Sequence, residues 1–287
     1  MNEIKKTKIE GGWLYAIYPR GTVKWYDVGE SIGVYTGGVY VDGTKSLYAN
    51  NIRSKGVALL GVTTTINKDV KLQGWNMFIE NVFNTAMLQA DINFPMKDPA
   101  LFAAAPFIRQ DAVNDGGNID PSKTYFVKGQ KSMTFGGKLG WKTKAWETSI
   151  NYNCITADGR YLVPREWGRE PFFTYLPRER NEGLGNVHAI MAKVQYNIPK
   201  ASVKGSLSAG HYQLPDVKDY RFNKYGLPSY TQVNADIYYT LAGMLKGFDA
   251  HLLLVGKMKE GETYNNKKFA INKVNIVMYN LILNYHF

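Results

Sequence analysis

The sequence has few of the features that build helical or disulfide-linked proteins. Cys154 is the one cysteine among 287 residues, so no internal disulfide can form. No apolar run approaches the ~18 residues of a membrane helix, and the basic start has no apolar segment of a signal peptide. Apolar residues at helical spacing between capping residues are also rare. These absences leave β-structure as the main expectation.

The sequence is rich instead in alternating apolar and polar residues. In the last segment, Tyr279, Leu281 and Leu283 share one face, whereas Asn280 and Asn284 share the other. Such segments are about ten residues long, which is the length of a tilted strand that crosses a bilayer. Twelve strands are predicted, near 8–18, 55–66, 69–79, 84–94, 100–112, 131–142, 145–155, 187–197, 201–212, 231–241, 247–258 and 272–287.

Loop lengths and the positions of aromatic residues indicate that these strands cross a membrane. Short and long connections alternate, with 80–83 as the one exception, as turns and loops do on the two sides of a membrane. Aromatic residues at predicted strand ends are typical of interfacial girdles. These residues are Trp141, Trp146, Tyr196, Tyr212, Tyr239, Phe248, Tyr285 and Phe287. We therefore predict an all-β fold, a transmembrane antiparallel β-barrel with about 12 strands in one domain, 1–287. Tyr285 and the terminal Phe287 are predicted to form its membrane-insertion signal.

Four segments carry a resemblance to a known family. They are WGREPFFTYLPRERNEG at 167–183, NVFNTAMLQAD at 81–91, QDAVNDGG at 110–117 and KWYDVGES at 24–31. Together they resemble the OprD-like family of outer-membrane porins, and the likeness is greatest to Bacteroidetes-type members. The resemblance implies a barrel of roughly 18 strands, so we expect this chain to lack N-terminal strands and a signal peptide.

The family also implies a function and a place. It implies the bacterial outer membrane, with outer-membrane lipids, lipopolysaccharide and the barrel-assembly machinery as partners. It implies passive, partly selective diffusion of small water-soluble solutes, carboxylates or amino acids, past basic pore residues. A homo-oligomer is left open. The net charge of +11 favours anionic partners, but no nucleic-acid-binding signature accompanies it.

One long connection, 156–186, is rich in arginine and is called the arginine loop below. Arg165, Arg169, Arg178 and Arg180 are predicted to line the pore, where guanidinium groups bind carboxylates bidentately. The alternative is a salt-bridged loop that holds its own shape, because the acids Glu166, Glu170, Glu179 and Glu182 nearly match the bases in number.

Charged residues on the polar faces of the strands are the second candidate set. In a barrel these faces point into the lumen, where lysines raise the local concentration of anions. General solvation of a wide pore is the alternative. The predicted pore-lining residues are Lys138, Lys193, Lys204 and Lys257, with Asp91, Glu147, Asp236 and Asp249 as an opposing acidic wall.

No catalytic constellation emerges from the sequence. The four histidines are scattered, without metal-ligand spacing, so neither an enzyme activity, a metal nor a cofactor is predicted. Two other functions stay open at this stage. One is an outer-membrane barrel enzyme of the lipase or protease type, and the other is a soluble β-sandwich binding protein.

Overall fold

A computed structural model describes residues 2–4, 6–35, 37–96 and 99–286. The protein is almost entirely β-structure. In chain order its elements are β1 (Asn2–Ile4), β2 (Thr7–Leu14), β3 (Ala16–Ile17), β4 (Tyr26–Asp27), α1 (Val28–Ser31), β5 (Val57–Asn67), β6 (Val70–Ile79), β7 (Phe83–Phe94), β8 (Ala100–Ala112), β9 (Lys131–Lys142), β10 (Trp146–Ile155), β11 (Val187–Ile198), β12 (Val203–Gln213), β13 (Tyr230–Thr240), β14 (Phe248–Lys259) and β15 (Ile276–Tyr285). Short 3-10 helices lie at Pro121–Lys123, Pro199–Ala201, Gly243–Leu245 and Lys267–Phe269.

One antiparallel sheet contains all of these strands except β3 and β4, which form a separate pair. Each strand of the large sheet pairs with its neighbours along the chain, in the order β1, β2 and then β5 to β15. The twelve predicted strands are all present, and the all-β expectation is confirmed. Within the described residues no pairing joins β1 to β15, so the sheet is not closed.

The two faces of the sheet differ in polarity because side chains alternate along each strand. In β13, Gln232 and Asn234 are fully buried beneath the loops, whereas Ile237 on the opposite face is 48% exposed. We call the loop-covered side the inner face and the other side the outer face. The outer face is apolar and exposed, with Leu207 at 57% and Leu281 at 67%.

An exposed apolar face argues against a β-sandwich, which would cover it with a second sheet. Among the described residues, the only other sheet is the β3–β4 pair. The same part of the chain contains no helix that is long and apolar enough to cross a membrane.

Connections at the two ends of the strands differ in length. One end carries short turns, such as 68–69 and 143–145. The other carries the loops 15–56, 113–130 and the arginine loop, and the tight 80–82 link, at which Asn81 adopts a left-handed φ of 64°. The predicted exception therefore lies on the long-loop side. We call these the turn end and the loop end.

Aromatic side chains lie along the turn end of the outer face, and we call them the aromatic belt. Trp146 packs on Tyr196 with ring centroids 4.3 Å apart, and Phe248 packs on Tyr285 at 4.7 Å. The prediction for Tyr212 was wrong. Its side chain lies on the inner face, is fully buried and stacks on Tyr230 at 4.7 Å, because Tyr212 shares the parity of Ser208 rather than that of Leu207. Phe287 lies outside the described residues.

Two apolar clusters anchor the loops to the inner face. One packs Tyr161 and Leu184 of the arginine loop against strand residues that include Tyr212 and Tyr230. The second packs Val28 of α1, with other loop residues, against the loop ends of β5 to β7. The long loops therefore fold inwards over the sheet.

Candidate functional site

The arginine loop crosses the inner face and bonds to strands that are far apart in the sheet. Its backbone carbonyls accept hydrogen bonds from inward-pointing side chains of four strands. The bonds run from Gln110 Nε2 to Leu162 O (2.7 Å), from Tyr212 Oη to Thr174 O (2.7 Å), from Gln232 Nε2 to Pro177 O (2.7 Å) and from Lys257 Nζ to Arg178 O (3.3 Å). Since these donors lie on β8, β12, β13 and β14, the loop spans the inner face.

Two carboxylates of this loop, Glu166 and Glu170, bind backbone amides. Gly33 N donates to Glu166 Oε1 at 2.5 Å, and Asn181 N donates to Glu170 Oε1 at 2.8 Å. Among the described residues, the only ion pair between an arginine and a glutamate of the loop joins Arg165 Nε to Glu182 Oε2, at 4.0 Å. Glu166 and Glu170 thus hold backbone in place, and within the described residues they form no ion pair with the arginines of the loop.

Most of the arginines lie over aromatic rings instead. Arg169 lies 5.3 Å from the centroid of Tyr175, and Arg180 lies 4.8 Å from that of Tyr225. Arg165 faces both Tyr225, at 5.3 Å, and Tyr35, at 5.8 Å. Such stacking holds a guanidinium group while it keeps its charge available.

Cavities lie on several sides of these arginines. One of about 480 Å³ lies between Arg165, Arg180, Tyr225 and Lys273, and one of about 330 Å³ is lined by Arg20, Arg169 and Arg178, again with Arg165 and Arg180. A third, of about 470 Å³, lies between Arg180 and the inner face of β14 and β15. Arg180 lines all three cavities.

A buried cation lies beside the arginine loop. Lys224 is 2% exposed, and its Nζ lies 4.8 Å from the ring centroid of Tyr48 and 4.7 Å from that of Tyr125. Its nearest carboxylate oxygen is Glu182 Oε1, at 3.9 Å. Burial lowers the pKa of Lys224 to about 8, although Glu182 opposes this shift. Three other loops thus meet the arginine loop at one charged centre.

Glu179 is a buried ionisable group of the arginine loop. It is 7% exposed, and neither carboxylate oxygen has a hydrogen-bond partner in the described structure. Burial, reinforced by Glu170, raises the pKa of the Glu179 carboxyl well above its usual value. A carboxyl in this environment favours its neutral form.

The strand residues predicted to line the pore all lie on the inner face, as the register shows. Lys138 is opposite Ala104 and Asn151, Lys193 is opposite Ser208, and Lys204 is opposite Tyr238. Lys257, opposite Gln232, is 4% exposed and lies 3.6 Å from the ring centroid of Tyr230. The position of these lysines is therefore established, and their part in permeation is left to the proposal below.

The four acids on the inner face lie towards the turn end, each with a polar or basic partner. Their contacts are Asp91 with Gln73 Nε2 (2.7 Å), Glu147 with Lys142 (3.4 Å), Asp236 with His251 (2.8 Å) and Asp249 with His286 (3.0 Å). This region is therefore a mixed wall in which each acid binds a polar or basic side chain from a neighbouring part of the sheet, and it is called the paired wall below.

Sequence reasoning missed three residues of the site, Tyr225, Lys224 and Arg20. Tyr225 contacts two arginines, and Arg20 Nη2 donates to Arg165 O at 3.0 Å. All three residues lie in other loops, and no local spacing connects these loops with the arginine loop. A tyrosine beside a lysine in a loop otherwise has the pattern of an ordinary solvated segment.

An open antiparallel sheet with an apolar outer face and a loop across its inner face defines the wall of a porin-type β-barrel. Several solved crystal structures have a similar fold. OccAB4 of Acinetobacter baumannii matches 98% of this chain with a TM-score of 0.74 and 12% identity, over 62% of its own length. OccK9 (OpdG) of Pseudomonas aeruginosa matches 99% at a TM-score of 0.73 and 12% identity, over 64% of its length. OpdK of Pseudomonas aeruginosa, crystallised with vanillate, matches 99% at a TM-score of 0.71 and 12% identity, over 66% of its length.

These solved structures are OprD-family porins, so the predicted likeness to that family is confirmed for the fold. They are channel proteins rather than enzymes. The chain spans about two thirds of the length of the porins it matches. No protein-family model matches the sequence, and neither does any curated protein.

Proposed function

We propose that this protein is part of a bacterial outer-membrane channel. It allows small water-soluble solutes to diffuse passively, with a preference for carboxylates or amino acids. The arginine loop on the inner face carries this proposal, because it places Arg169, Arg178 and Arg180 around a cavity on the side that a barrel encloses. Fixed guanidinium charge in a narrow aqueous passage attracts anions and replaces part of their hydration.

The porin fold of the solved neighbours and the apolar outer face support a membrane location. In this proposal the outer face contacts outer-membrane lipids and lipopolysaccharide, and the aromatic belt lies at the turn-end interface. Insertion through the barrel-assembly machinery belongs to the same proposal, and so does a homo-oligomer. The inner-face lysines Lys138, Lys193, Lys204 and Lys257 add to the positive potential near the path.

The function is tested in planar bilayers with the complete gene product. We expect the reversal potential in a salt gradient to show a preference for chloride over potassium. Carboxylate solutes should block the current. Neutralising the arginines together, as Arg169→Gln, Arg178→Gln and Arg180→Gln, should shift the preference towards cations and weaken the block. An unchanged preference and an unchanged block would remove these arginines from the permeation path.

The membrane orientation is tested by a matched pair on β15. Leu281 lies on the outer face and its neighbour Asn280 on the inner face. Leu281→Arg should reduce stability by about 2–4 kcal/mol because the charge enters the hydrocarbon. Asn280→Arg should have little effect, because its side chain reaches the aqueous side. Equal tolerance of both variants in detergent and lipid unfolding experiments would contradict the orientation.

A further inference from the structure

Three cations surround the ring of Tyr225. Arg180 lies 4.8 Å from its centroid, Arg165 lies 5.3 Å away and Lys224 lies 5.4 Å away. Arg165 and Arg180 are two of the proposed pore-lining residues, and both border the cavities described above. One aromatic ring from the 214–229 loop therefore contacts two arginines that belong to another loop.

The hydroxyl and backbone surroundings of Tyr225 fix its ring in one place. Tyr225 Oη donates to Glu182 Oε2 at 2.9 Å, and Glu182 is 1% exposed. Gly183 and Gly38 both adopt left-handed backbone, with φ of 85° and 70°. A Cβ atom at Gly183 would overlap the ring, and one at Gly38 would lie 2.9 Å from Tyr225 Cδ1. Both glycines thus allow the backbone to close on the tyrosine.

Without such a ring, the arginines have nearby carboxylates to bind. The arginine loop itself contains Glu170 and Glu182, and a free guanidinium forms strong bidentate pairs with carboxylates. Pairing would cancel the charge that the proposed path requires. The observed arrangement avoids this, because the only described contact of this kind is the 4.0 Å one between Arg165 and Glu182.

We propose that Tyr225 is a positioning residue of the channel: its ring holds the guanidinium groups of Arg165 and Arg180 towards the cavities and away from the loop's own carboxylates, and so maintains the preference for carboxylate solutes. The tyrosine acts through the arginines. This inference rests on the proposed function, since it explains how the selectivity of that channel is maintained.

The test changes the electrostatics of the ring and preserves its shape. In planar bilayers, the complete gene product is compared with Tyr225→Phe and with phenylalanines at position 225 that carry one, two or three ring fluorines. Fluorine withdraws charge from the ring face and so weakens its attraction for cations. We expect Tyr225→Phe to keep most of the chloride-over-potassium permeability ratio. Along the fluorine series the ratio should then fall stepwise, by about two- to fivefold in total.

Tyr264 provides the matched control. Its ring centroid lies 3.5 Å from Lys218 Nζ, it is 47% exposed, and it borders none of the cavities described. The same fluorine series at Tyr264 should leave the permeability ratio unchanged. An equal fall in both series would mean that fluorination acts non-specifically, and the positioning role would be rejected.

A double variant, Arg165→Gln with Arg180→Gln, separates this inference from the proposed function. If it lowers the permeability ratio while the Tyr225 series is flat, the channel function stands and the positioning role is overturned. If the unmodified channel shows no preference for anions, the carboxylate part of the proposed function fails, and the inference fails with it. A graded fall at Tyr225 together with a loss in the double variant would establish the positioning role.

Discussion

The arginine loop and the paired wall are both rich in charged side chains, but these side chains have different partners in the two regions. In the loop, Arg169 and Arg180 face aromatic rings. In the wall, Asp236 binds His251 at 2.8 Å and Glu147 binds Lys142 at 3.4 Å. A charge over a ring keeps its field, whereas a paired charge is largely cancelled at a distance. In the proposed channel, we therefore expect charge selectivity to arise at the loop end and the paired wall to act as a hydrated lining.

The largest effect is expected from removing a buried charge of the loop. Glu182→Leu deletes the acceptor of the Tyr225 hydroxyl and the nearest carboxylate to Lys224. We expect the loops to lose about 3–5 kcal/mol of local stability, because the lysine is left buried without a counter-charge. Hydrogen exchange or limited proteolysis of the 214–229 loop would measure this.

Glu147→Gln is the matched variant in the paired wall. Its partner Lys142 is 63% exposed at the side chain, and Glu147 itself is 33% exposed. Loss of this pair should change stability by about 1 kcal/mol or less. If the two glutamates were equally costly to remove, the contrast between the regions would be wrong.

The next effect is a pH dependence of the local stability of the loops around Lys224. Burial lowers the pKa of Lys224 from 10.5 to about 8 in the folded protein. Between these values the unfolded segment binds more protons than the folded one, so local stability should rise with pH. The window closes near pH 10, where tyrosines ionise in the unfolded state, because burial raises the pKa of Tyr125 and Tyr225 when folded.

From pH 8 to pH 10 the expected gain is about 2 kcal/mol, measurable by pulse proteolysis in a urea series. Lys224→Met should remove this slope because the variant has no titrating group there. A slope of the opposite sign in the unmodified protein would show that the ion pair with Glu182 dominates over burial.

Ion selectivity should respond less in the wall than in the loop. Arg180→Gln is expected to lower the chloride-over-potassium ratio several-fold, since Arg180 forms no ion pair within the described residues. Asp236→Asn should change the ratio by less than about twofold, because Asp236 binds His251 in the paired wall and does not border the cavities around the arginines. Reversal potentials of both variants in the same salt gradient make the comparison. A larger shift from the aspartate would move the selectivity region to the wall.

The smallest effect is expected at the exposed end of the wall. Asp249 binds His286 at 3.0 Å, and the histidine side chain is 71% exposed. Asp249→Asn should change the free energy of unfolding by about 0.5 kcal/mol or less. Urea unfolding of this variant is compared with that of Asp236→Asn, whose partner histidine is only 16% exposed. The comparison shows whether the loss of stability increases with the burial of the pair.

Strand positions and face assignments were predictable because they follow from a local period of two. The register places Lys138, Lys193 and Asp236 on the inner face, and their role in lining a pore stays a prediction. Tyr212 also lies at a strand end, but it is four residues from Ser208 and five from Leu207. Because side chains alternate, it belongs to the inner face and not to the belt. The parts of the site outside the arginine loop were not predictable. Tyr225 and Lys224 meet that loop only through tertiary contacts, which leave no spacing in the sequence.

Strand pairing and loop convergence also imply an order of folding. Each strand of the large sheet pairs with the sheet strands before and after it. The pairs that are joined at the turn end close short loops, so these hairpins can form early. The centre around Lys224 needs Tyr48, Tyr125 and Glu182 from distant parts of the chain. We expect these side chains to come together only after the strands between them have paired. The loops over the inner face should therefore assemble last, and the sheet should exist for a time with its inner face uncovered.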